Sequence, residues 1–297
     1  MKERLDVILV EKGLFPSREK AKAAIMAGII FVDGRREDKA GTLVNKEAEF
    51  FVKEDICPYV SRGGLKLEKA MALYGFDLSG ATAVDIGAST GGFTDCMLKN
   101  GAKKVYAIDV GYGQLDWKLR NDPRVVNMEK CNIRYLDYEK VDKDVDFISI
   151  DVSFISLKLV FPVASKLLGP SGKLVCLVKP QFEAGREQVG KKGIVRDKKV
   201  HAEVIRNVIS YALANGLYPQ GLTFSPVTGA KGNIEYLLYL TKQKNGEISH
   251  DSDNLAVCTE KNTDSGDTAG TVEITSIEEF LPFDVDDIVN SSHETLE

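Results

Sequence analysis

Between residues 61 and 243 the sequence alternates short apolar stretches with helical ones, and this alternation constrains the fold more than any other feature. The apolar stretches have the length and composition of strands, and they cover residues 82–87, 103–110, 145–152, 173–180, 222–226 and 234–240. Strands that alternate with helices form a mostly parallel sheet with helices on both faces. The last two stretches are joined only by a short glycine-containing segment, which predicts an antiparallel hairpin at the sheet edge.

A glycine-rich turn follows the first of these strands, in the sequence VDIGASTGGF (84–93). Glycines at such a turn let backbone amides approach a ligand closely. The spacing is D-x-G-x-x-x-G-G, which fits a loop that binds S-adenosylmethionine, and it lacks the middle glycine that a dinucleotide pyrophosphate needs. We therefore expect an α/β, Rossmann-like domain with S-adenosylmethionine as cofactor, and a dinucleotide is the weaker alternative.

Further cofactor contacts follow from the next strand ends. Asp109 ends the second strand at the same sheet edge as Asp85, where a carboxylate suits the two ribose hydroxyls. An ordinary strand–helix turn would explain the glycines alone, but it would not explain both acids. The candidate cofactor-binding residues are Asp85, Gly87, Ala88, Ser89, Gly91, Gly92, Phe93, Asp109, Asn132 and Ile133.

Four charged residues from distant parts of the chain are predicted to meet at this edge. Asp151 and Lys179 end neighbouring strands, Glu235 begins the last strand, and Lys66 lies on the helix before the first strand. Paired lysines and carboxylates can remove the proton from a ribose hydroxyl and stabilise the oxyanion, without a metal. A surface salt bridge is the ordinary interpretation of each residue alone, and helix register leaves Lys69 as an alternative to Lys66.

Other methyl acceptors are disfavoured. Amino-group methyltransferases have an Asn/Asp-Pro-Pro-aromatic motif where this chain reads DVSF (151–154). Methylation of a base carbon needs a cysteine nucleophile, and Cys176 lies within an apolar strand, where we expect it to pack as a small hydrophobic residue. The five cysteines are scattered and form no C-x-x-C pair, so neither a zinc site nor a disulfide framework is predicted.

Residues 1–53 are predicted to form a small separate α+β unit. Helices are expected over 4–13 and 16–28, the second with Ser17 as its N-cap, followed by a strand over 29–38 that turns at Asp33-Gly34. Basic residues project from the second helix. Residues 54–60, which contain Pro58, read as a linker to a catalytic domain at 61–244.

The charge is distributed unevenly along the chain. The net charge is −5, yet residues 245–297 contain fourteen acids and one lysine, which leaves +8 on residues 1–244. A basic body is compatible with a phosphate-rich partner. The acidic segment is expected to be mostly disordered, although residues 277–289 could dock transiently.

The chain resembles the TlyA (haemolysin A) family, an S4 RNA-binding module fused to an FtsJ/RrmJ-like 2′-O-ribose methyltransferase. The resemblance covers about residues 3–243 and depends on the segments VSRGGLKLEKA, DIGASTGGFTD, DVSFISL, LVKPQFE and GNIEYL in this order. It implies that Lys66, Asp151, Lys179 and Glu235 form the K-D-K-E tetrad, with Lys179 as base. It also implies ribosomal RNA as substrate, at cytidines of the small or large subunit.

The candidate RNA-binding residues are Arg4, Ser17, Arg18, Lys20, Lys22, Arg62 and Arg186. The basic segment 182–197 either holds RNA phosphates or is a solvated excursion. A membrane-lytic protein, suggested by the family name, and a non-catalytic rRNA-binding factor are the competing functions. No signal peptide or spanning helix is evident, so we expect a cytoplasmic protein without stable membrane association.

Overall fold

The computed structural model describes residues 2–26, 28–52, 57–242 and 281–296. The chain divides into two compact units, Met1–Cys57 and Pro58–Glu297. This division falls inside the segment predicted as a linker.

The first unit consists of two short helices and small sheets. Its elements in chain order are β1 (Lys2–Arg4), α1 (Leu5–Glu11), α2 (Arg18–Met26), β2 (Ile30–Val32), β3 (Arg35–Arg36), β4 (Leu43–Asn45) and β5 (Phe50–Val52). The predicted turn between β2 and β3 has positive φ at both Asp33 and Gly34, a conformation that these two residue types tolerate. Leu5, Leu9 and Ile25 are fully buried and join the helices to the sheet. Strands β1, β4 and β5 were not predicted from the sequence.

The second unit is the α/β domain. Its elements are α3 (Gly63–Tyr74), β6 (Thr82–Ile86), α4 (Gly92–Lys99), β7 (Lys104–Ile108), α5 (Trp117–Arg120), β8 (Val125–Met128), β9 (Val145–Ile150), α6 (Phe161–Leu167), β10 (Leu168–Val178), α7 (Pro180–Glu183), α8 (Lys198–Leu213), β11 (Leu217–Phe224), β12 (Tyr236–Lys242) and α9 (Val285–Leu296).

Within the described residues these strands form a seven-stranded sheet in the order β11-β12-β10-β9-β6-β7-β8. Strands β8, β7, β6, β9 and β10 run parallel, whereas β12 pairs antiparallel with both β10 and β11. The predicted fold class, a mostly parallel Rossmann-like sheet with an antiparallel edge, is confirmed. Strand β8 was missed, because its sequence VVNM is short and only partly apolar.

Both faces of the sheet are covered. Leu67 of α3 and Met97 of α4 are fully buried on one face, while Phe161 of α6 and Ile205 of α8 are fully buried on the other. Because both faces are buried, the carboxyl ends of the parallel strands are the place where polar side chains can collect.

The acidic C-terminal segment is ordered at its end. Helix α9 packs against α8 and β11, with Val285 and Val289 buried. Next to them the Tyr236 hydroxyl lies 2.7 Å from Nδ1 of His201 and 3.0 Å from the Ser292 hydroxyl. The prediction of disorder over 245–297 is therefore wrong for 285–296, because an apolar stripe within the acidic sequence has a core surface to cover. Residues 245–280 lie outside the described residues.

Candidate active site

A cavity of about 370 Å³ opens at the carboxyl edge of the parallel strands, in the size range of small-molecule sites. It lies between the glycine turn after β6, the segment after β9 and the N-terminal end of α3. Of the predicted cofactor-binding residues, six line this cavity: Asp85, Gly87, Ala88, Ser89, Gly92 and Phe93.

Glycine is required at two points of this turn. Gly87 has φ +86°, and a Cβ on it would lie 2.5 Å from the carbonyl oxygen of Asp151. A Cβ on Gly92 would lie 2.9 Å from the amide nitrogen of Gly64. The turn therefore packs backbone against backbone on the segment after β9 and on α3, and these contacts form a glycine cradle that borders the cavity.

Asp85 lies at the floor of the cavity. Its two carboxylate oxygens accept hydrogen bonds from the hydroxyl groups of Thr94, at 2.6 Å, and of Ser149, at 2.9 Å. Burial raises the pKa of this carboxyl to about 6, although the two hydroxyls oppose the shift. Asp85 therefore also holds together β6, α4 and β9, a role that the sequence did not predict.

The other predicted cofactor-binding residues lie outside the lining of the cavity. Asp109 accepts hydrogen bonds from the backbone amides of Ser89, at 2.8 Å, and Gly111, at 2.7 Å. Asn132 caps a short 3₁₀ turn by accepting from the amide of Arg134, and Ile133 is buried. Gly91, Asp109, Asn132 and Ile133 do not line the cavity, so their contacts with the cofactor remain predictions.

The four charged residues predicted to meet do so at the mouth of the cavity. Lys179 Nζ lies 2.5 Å from Asp151 Oδ1, Lys66 Nζ lies 3.7 Å from Asp151 Oδ2, and Lys66 Nζ lies 2.7 Å from Glu235 Oε2. Both lysines and Glu235 are buried, while Asp151 is partly exposed. The structure thus joins them into one alternating chain, Lys179–Asp151–Lys66–Glu235, which is hereafter the tetrad.

Both units of the chain match known families. Residues 59–242 match the family described as FtsJ-like methyltransferase, and residues 3–50 match the S4 domain.

The chain belongs to the FtsJ-like methyltransferase family.

Individual similar proteins support this assignment over most of the chain. YqxC of Bacillus subtilis, named as a candidate rRNA methyltransferase, is 57% identical over 80% of this chain and 85% of its own. The 16S/23S rRNA (cytidine-2′-O)-methyltransferase TlyA of Mycobacterium tuberculosis is 42% identical over 83% of this chain and 92% of its own. A solved structure of a candidate hemolysin from Streptococcus thermophilus is 43% identical, with a TM-score of 0.70, and covers 99% of this chain and 96% of that one.

S-adenosylmethionine is the cofactor of the FtsJ-like domain. The residues present fit it, because the cavity that the glycine cradle borders has the size of a small-molecule site, and Lys66, Asp151 and Lys179 of the tetrad line it. Among the described residues no group of three or more histidines, cysteines or acids is arranged to hold a metal ion, and no helix is long and apolar enough to cross a membrane.

The structure also distinguishes Lys66 from Lys69, the alternative that the sequence left for the first lysine of the tetrad. Lys69 Nζ donates to the carbonyl oxygen of Phe224 at 2.6 Å and lies 3.9 Å from the centroid of its ring. Lys66 is therefore the lysine of the tetrad. Cys176, as predicted, is fully buried within β10, and burial raises the pKa of its thiol, which is the opposite of what a nucleophile needs.

The sequence did not predict three residues beside the tetrad, which are Ser153, Phe154 and Gln181. Lys179 Nζ donates to Ser153 Oγ at 3.2 Å, and Gln181 Nε2 donates to Glu235 Oε1 at 3.3 Å, so a neutral side chain ends the tetrad on each side. Phe154 is 90% exposed beside Ser153. The only signal for them was proximity to Asp151 and Lys179 in sequence, which does not show where a side chain points.

The candidate RNA-binding residues of the S4 unit lie on and before its second helix. Ser17 Oγ accepts from the Lys20 amide at 3.3 Å, which agrees with its predicted place as N-cap. Arg4 and Arg18 both bind the buried carboxylate of Asp6, at 2.9 and 2.8 Å. The Arg4 hydrogen bond is the main cause that lowers the pKa of Asp6 to about 2. These contacts hold two half-exposed guanidinium groups in place.

Four further basic candidates are exposed to different degrees. Lys20 is exposed and Lys22 half-buried on α2. In the FtsJ-like domain, Arg62 lines the mouth of the cavity and Arg186 lies on an exposed 3₁₀ turn after α7. Contacts of all seven candidates with RNA remain predictions.

Proposed function

We propose that this protein transfers the methyl group of S-adenosylmethionine to the 2′-hydroxyl of a cytidine in ribosomal RNA. The observation that carries the proposal is the tetrad at the mouth of the cofactor cavity, because two amines and two carboxylates at these distances suit the deprotonation of an alcohol. The names of the relatives supply the substrate class, an rRNA cytidine.

The cofactor supplies a methyl group on a positively charged sulfur, which makes it a good electrophile with a neutral leaving group. The hydroxyl oxygen that attacks it must lose its proton. Lys179 is the proposed base, because its Nζ lies at the cavity and is anchored by Asp151 on one side and Ser153 on the other. Lys66, held by Glu235 and Asp151, supplies a fixed positive charge next to the oxygen as negative charge develops on it.

Phe154 is the proposed contact for the base of the target nucleotide. Its ring is exposed beside the tetrad, and exposed aromatic rings stack on bases that have left a helix. The S4 unit and the basic residues Arg62 and Arg186 are proposed to bind the surrounding RNA through its phosphates. We place this activity in the cytoplasm, on ribosomal subunits or their RNA.

The test is to incubate the purified protein with ribosomal subunits and with free rRNA, using cofactor labelled on its methyl group, and to map 2′-O-methyl positions. Label at the ribose of one or a few cytidines is the expected result. Label only on bases, or no label on either substrate despite measurable cofactor binding, would contradict the proposed function.

A further inference from the structure

Glu183, the last residue of α7, connects the two segments that follow the catalytic strands. Its Oε2 accepts a hydrogen bond from the Ser156 hydroxyl at 2.7 Å, and its Oε1 accepts one from the Leu157 amide at 2.8 Å. Helix α7 follows directly on Lys179, whereas Ser156 and Leu157 belong to the segment 151–157 that begins with Asp151. A single side chain therefore ties the segment of the proposed base to the segment of its carboxylate partner.

The Glu183 side chain uses both of its oxygens as hydrogen-bond acceptors. Burial raises the pKa of Glu183, whereas the hydrogen bonds from the Leu157 amide and the Ser156 hydroxyl lower it. Both donors point at the side chain from the same segment, so both of its oxygens act as acceptors. With its oxygen on the Leu157 amide, a glutamine would direct its NH₂ group at Ser156 Oγ, which would then have to accept instead of donate although it already accepts from the Lys158 amide at 3.1 Å.

The segment 151–157 contains a strained residue that something must hold. Phe154 has φ +64°, a conformation that is strained for a bulky residue and persists only where neighbouring contacts impose it. Burial does not hold it, since the ring is 90% exposed. Val152 and Ile155 pack against the core, and the polar and ring contacts nearest to Phe154 come from α7 and the residue before it. The Phe182 ring centroid lies 4.8 Å away, Lys179 donates to Ser153, and Glu183 accepts from Ser156 and Leu157.

We propose that Glu183 is a positioning residue for the methyl transfer. It holds segment 151–157 in the strained conformation that presents the Phe154 ring to the target nucleotide while Asp151 stays on Lys179. This inference rests on the proposed function, since it assigns the ring to that function's substrate.

The first experiment compares Glu183→Gln with a matched control. Asp146→Asn likewise replaces a carboxylate by an amide. The Asp146 carboxylate accepts from the backbone amide of Thr82 at 2.8 Å, and it lies at the start of β9, the opposite end of the strand from the tetrad. For Glu183→Gln we expect kcat/KM for RNA to fall by about tenfold or more, with a raised KM, because a misplaced segment misplaces the nucleotide. Cofactor affinity should change less than about twofold, and Asp146→Asn should match wild type in both measurements.

A double-mutant comparison separates positioning from general structure. If Glu183 acts through Phe154, then adding Glu183→Gln to Phe154→Ala should reduce kcat/KM less than about threefold further. An equally large effect in both backgrounds would overturn the inference, as would wild-type kinetics for Glu183→Gln. Should Glu183→Gln fail to fold, Ser156→Ala removes one of the two hydrogen bonds and should show a smaller change in the same direction.

Hydrogen exchange at the Leu157 amide tests the connection without any turnover. Glu183→Gln should lose protection there, while Asp146→Asn should keep it; unchanged protection in Glu183→Gln would overturn the inference. An inactive wild-type protein would defeat the proposed function, and this exchange measurement would then decide separately whether Glu183 holds the segment.

Discussion

Asp151 is the residue on which the chemistry of the site converges. Its two oxygens face different lysines, Lys179 at 2.5 Å and Lys66 at 3.7 Å, so it fixes the distance between the proposed base and the fixed charge. Its carbonyl oxygen also approaches the glycine turn so closely that Gly87 admits no Cβ. One residue thus places the tetrad directly against the cofactor cradle.

Replacing Lys179 distinguishes a base from a fixed charge. Lys179→Arg keeps a cation for Asp151 but cannot accept a proton at ordinary pH, since a guanidinium stays protonated. We expect both Lys179→Arg and Lys179→Ala to slow methyl transfer about 100- to 10,000-fold, with cofactor binding by calorimetry unchanged. An arginine variant that keeps more than about a tenth of wild-type turnover would show that Lys179 acts by charge alone.

Asp85 makes stability depend on pH. The pKa of its carboxyl is about 6 in the folded protein and close to 3.9 unfolded, so the native state binds this proton more tightly. The resulting stabilisation is present below about pH 4 and is lost as pH rises through about 6.

Relative to Asp85→Asn, which does not titrate, wild type should therefore lose roughly 2 kcal/mol of unfolding free energy between about pH 4 and pH 7. Urea unfolding of both proteins across this range measures the difference. A difference that does not change with pH would show that the folded carboxyl is ionised throughout.

At the scale of elements, the C-terminal helix α9 extends the domain beyond the residues that match the FtsJ-like family. It covers α8 and β11 with Val285 and Val289, and it brings Ser292 to the buried hydroxyl of Tyr236. Tyr236, the first residue of β12, packs on the sheet face covered by α6 and α8, whereas Glu235, directly before the strand, binds Lys66 of α3, which packs on the opposite face. The helix therefore covers the sheet face away from the Glu235 side chain, so we assign it to stability rather than to chemistry.

Removing residues 281–297 tests this assignment. Exposure of the apolar surface under α9 should lower Tm by about 6–12 °C, on the basis of about 1.5 kcal/mol for each of two buried valines and about 2–4 °C per kcal/mol. Methyl transfer measured well below the Tm of the shortened protein should stay near the wild-type rate. Loss of transfer with unchanged Tm would instead assign α9 a part in the reaction.

At the scale of the whole molecule, the chain consists of two units with different tasks. The unit 58–297 contains the cavity and the tetrad, whereas the S4 unit contributes basic residues fixed by a buried acid, Asp6. Ion pairs with phosphates release counterions, so binding through the S4 unit should weaken with salt.

Deleting residues 1–57 should therefore reduce RNA affinity by about tenfold or more and flatten its dependence on salt concentration, while cofactor affinity stays unchanged. Filter binding at several salt concentrations and calorimetry with the cofactor measure the two properties. Parallel loss of both would contradict the division into two independent units.

The sequence by itself determined the alternation of strands and helices, the glycine turn and the positions of the acids and lysines at strand ends. These are local properties, since they depend on apolar periodicity, backbone freedom and spacing along one segment. Strand β8 escaped because its apolar run is too short, and helix α9 because its acidic residues outnumber the apolar stripe that docks it.

Only the tertiary structure decided which side chains touch. It selected Lys66 over Lys69, gave Asp85 two hydroxyl partners, and brought Glu183 to Ser156 and Leu157. Such contacts join residues that are far apart in the chain, and a rotation of one residue along a helix exchanges one partner for another. Spacing in the sequence fixes the edge of the sheet at which a residue lies, but packing fixes the direction in which its side chain points.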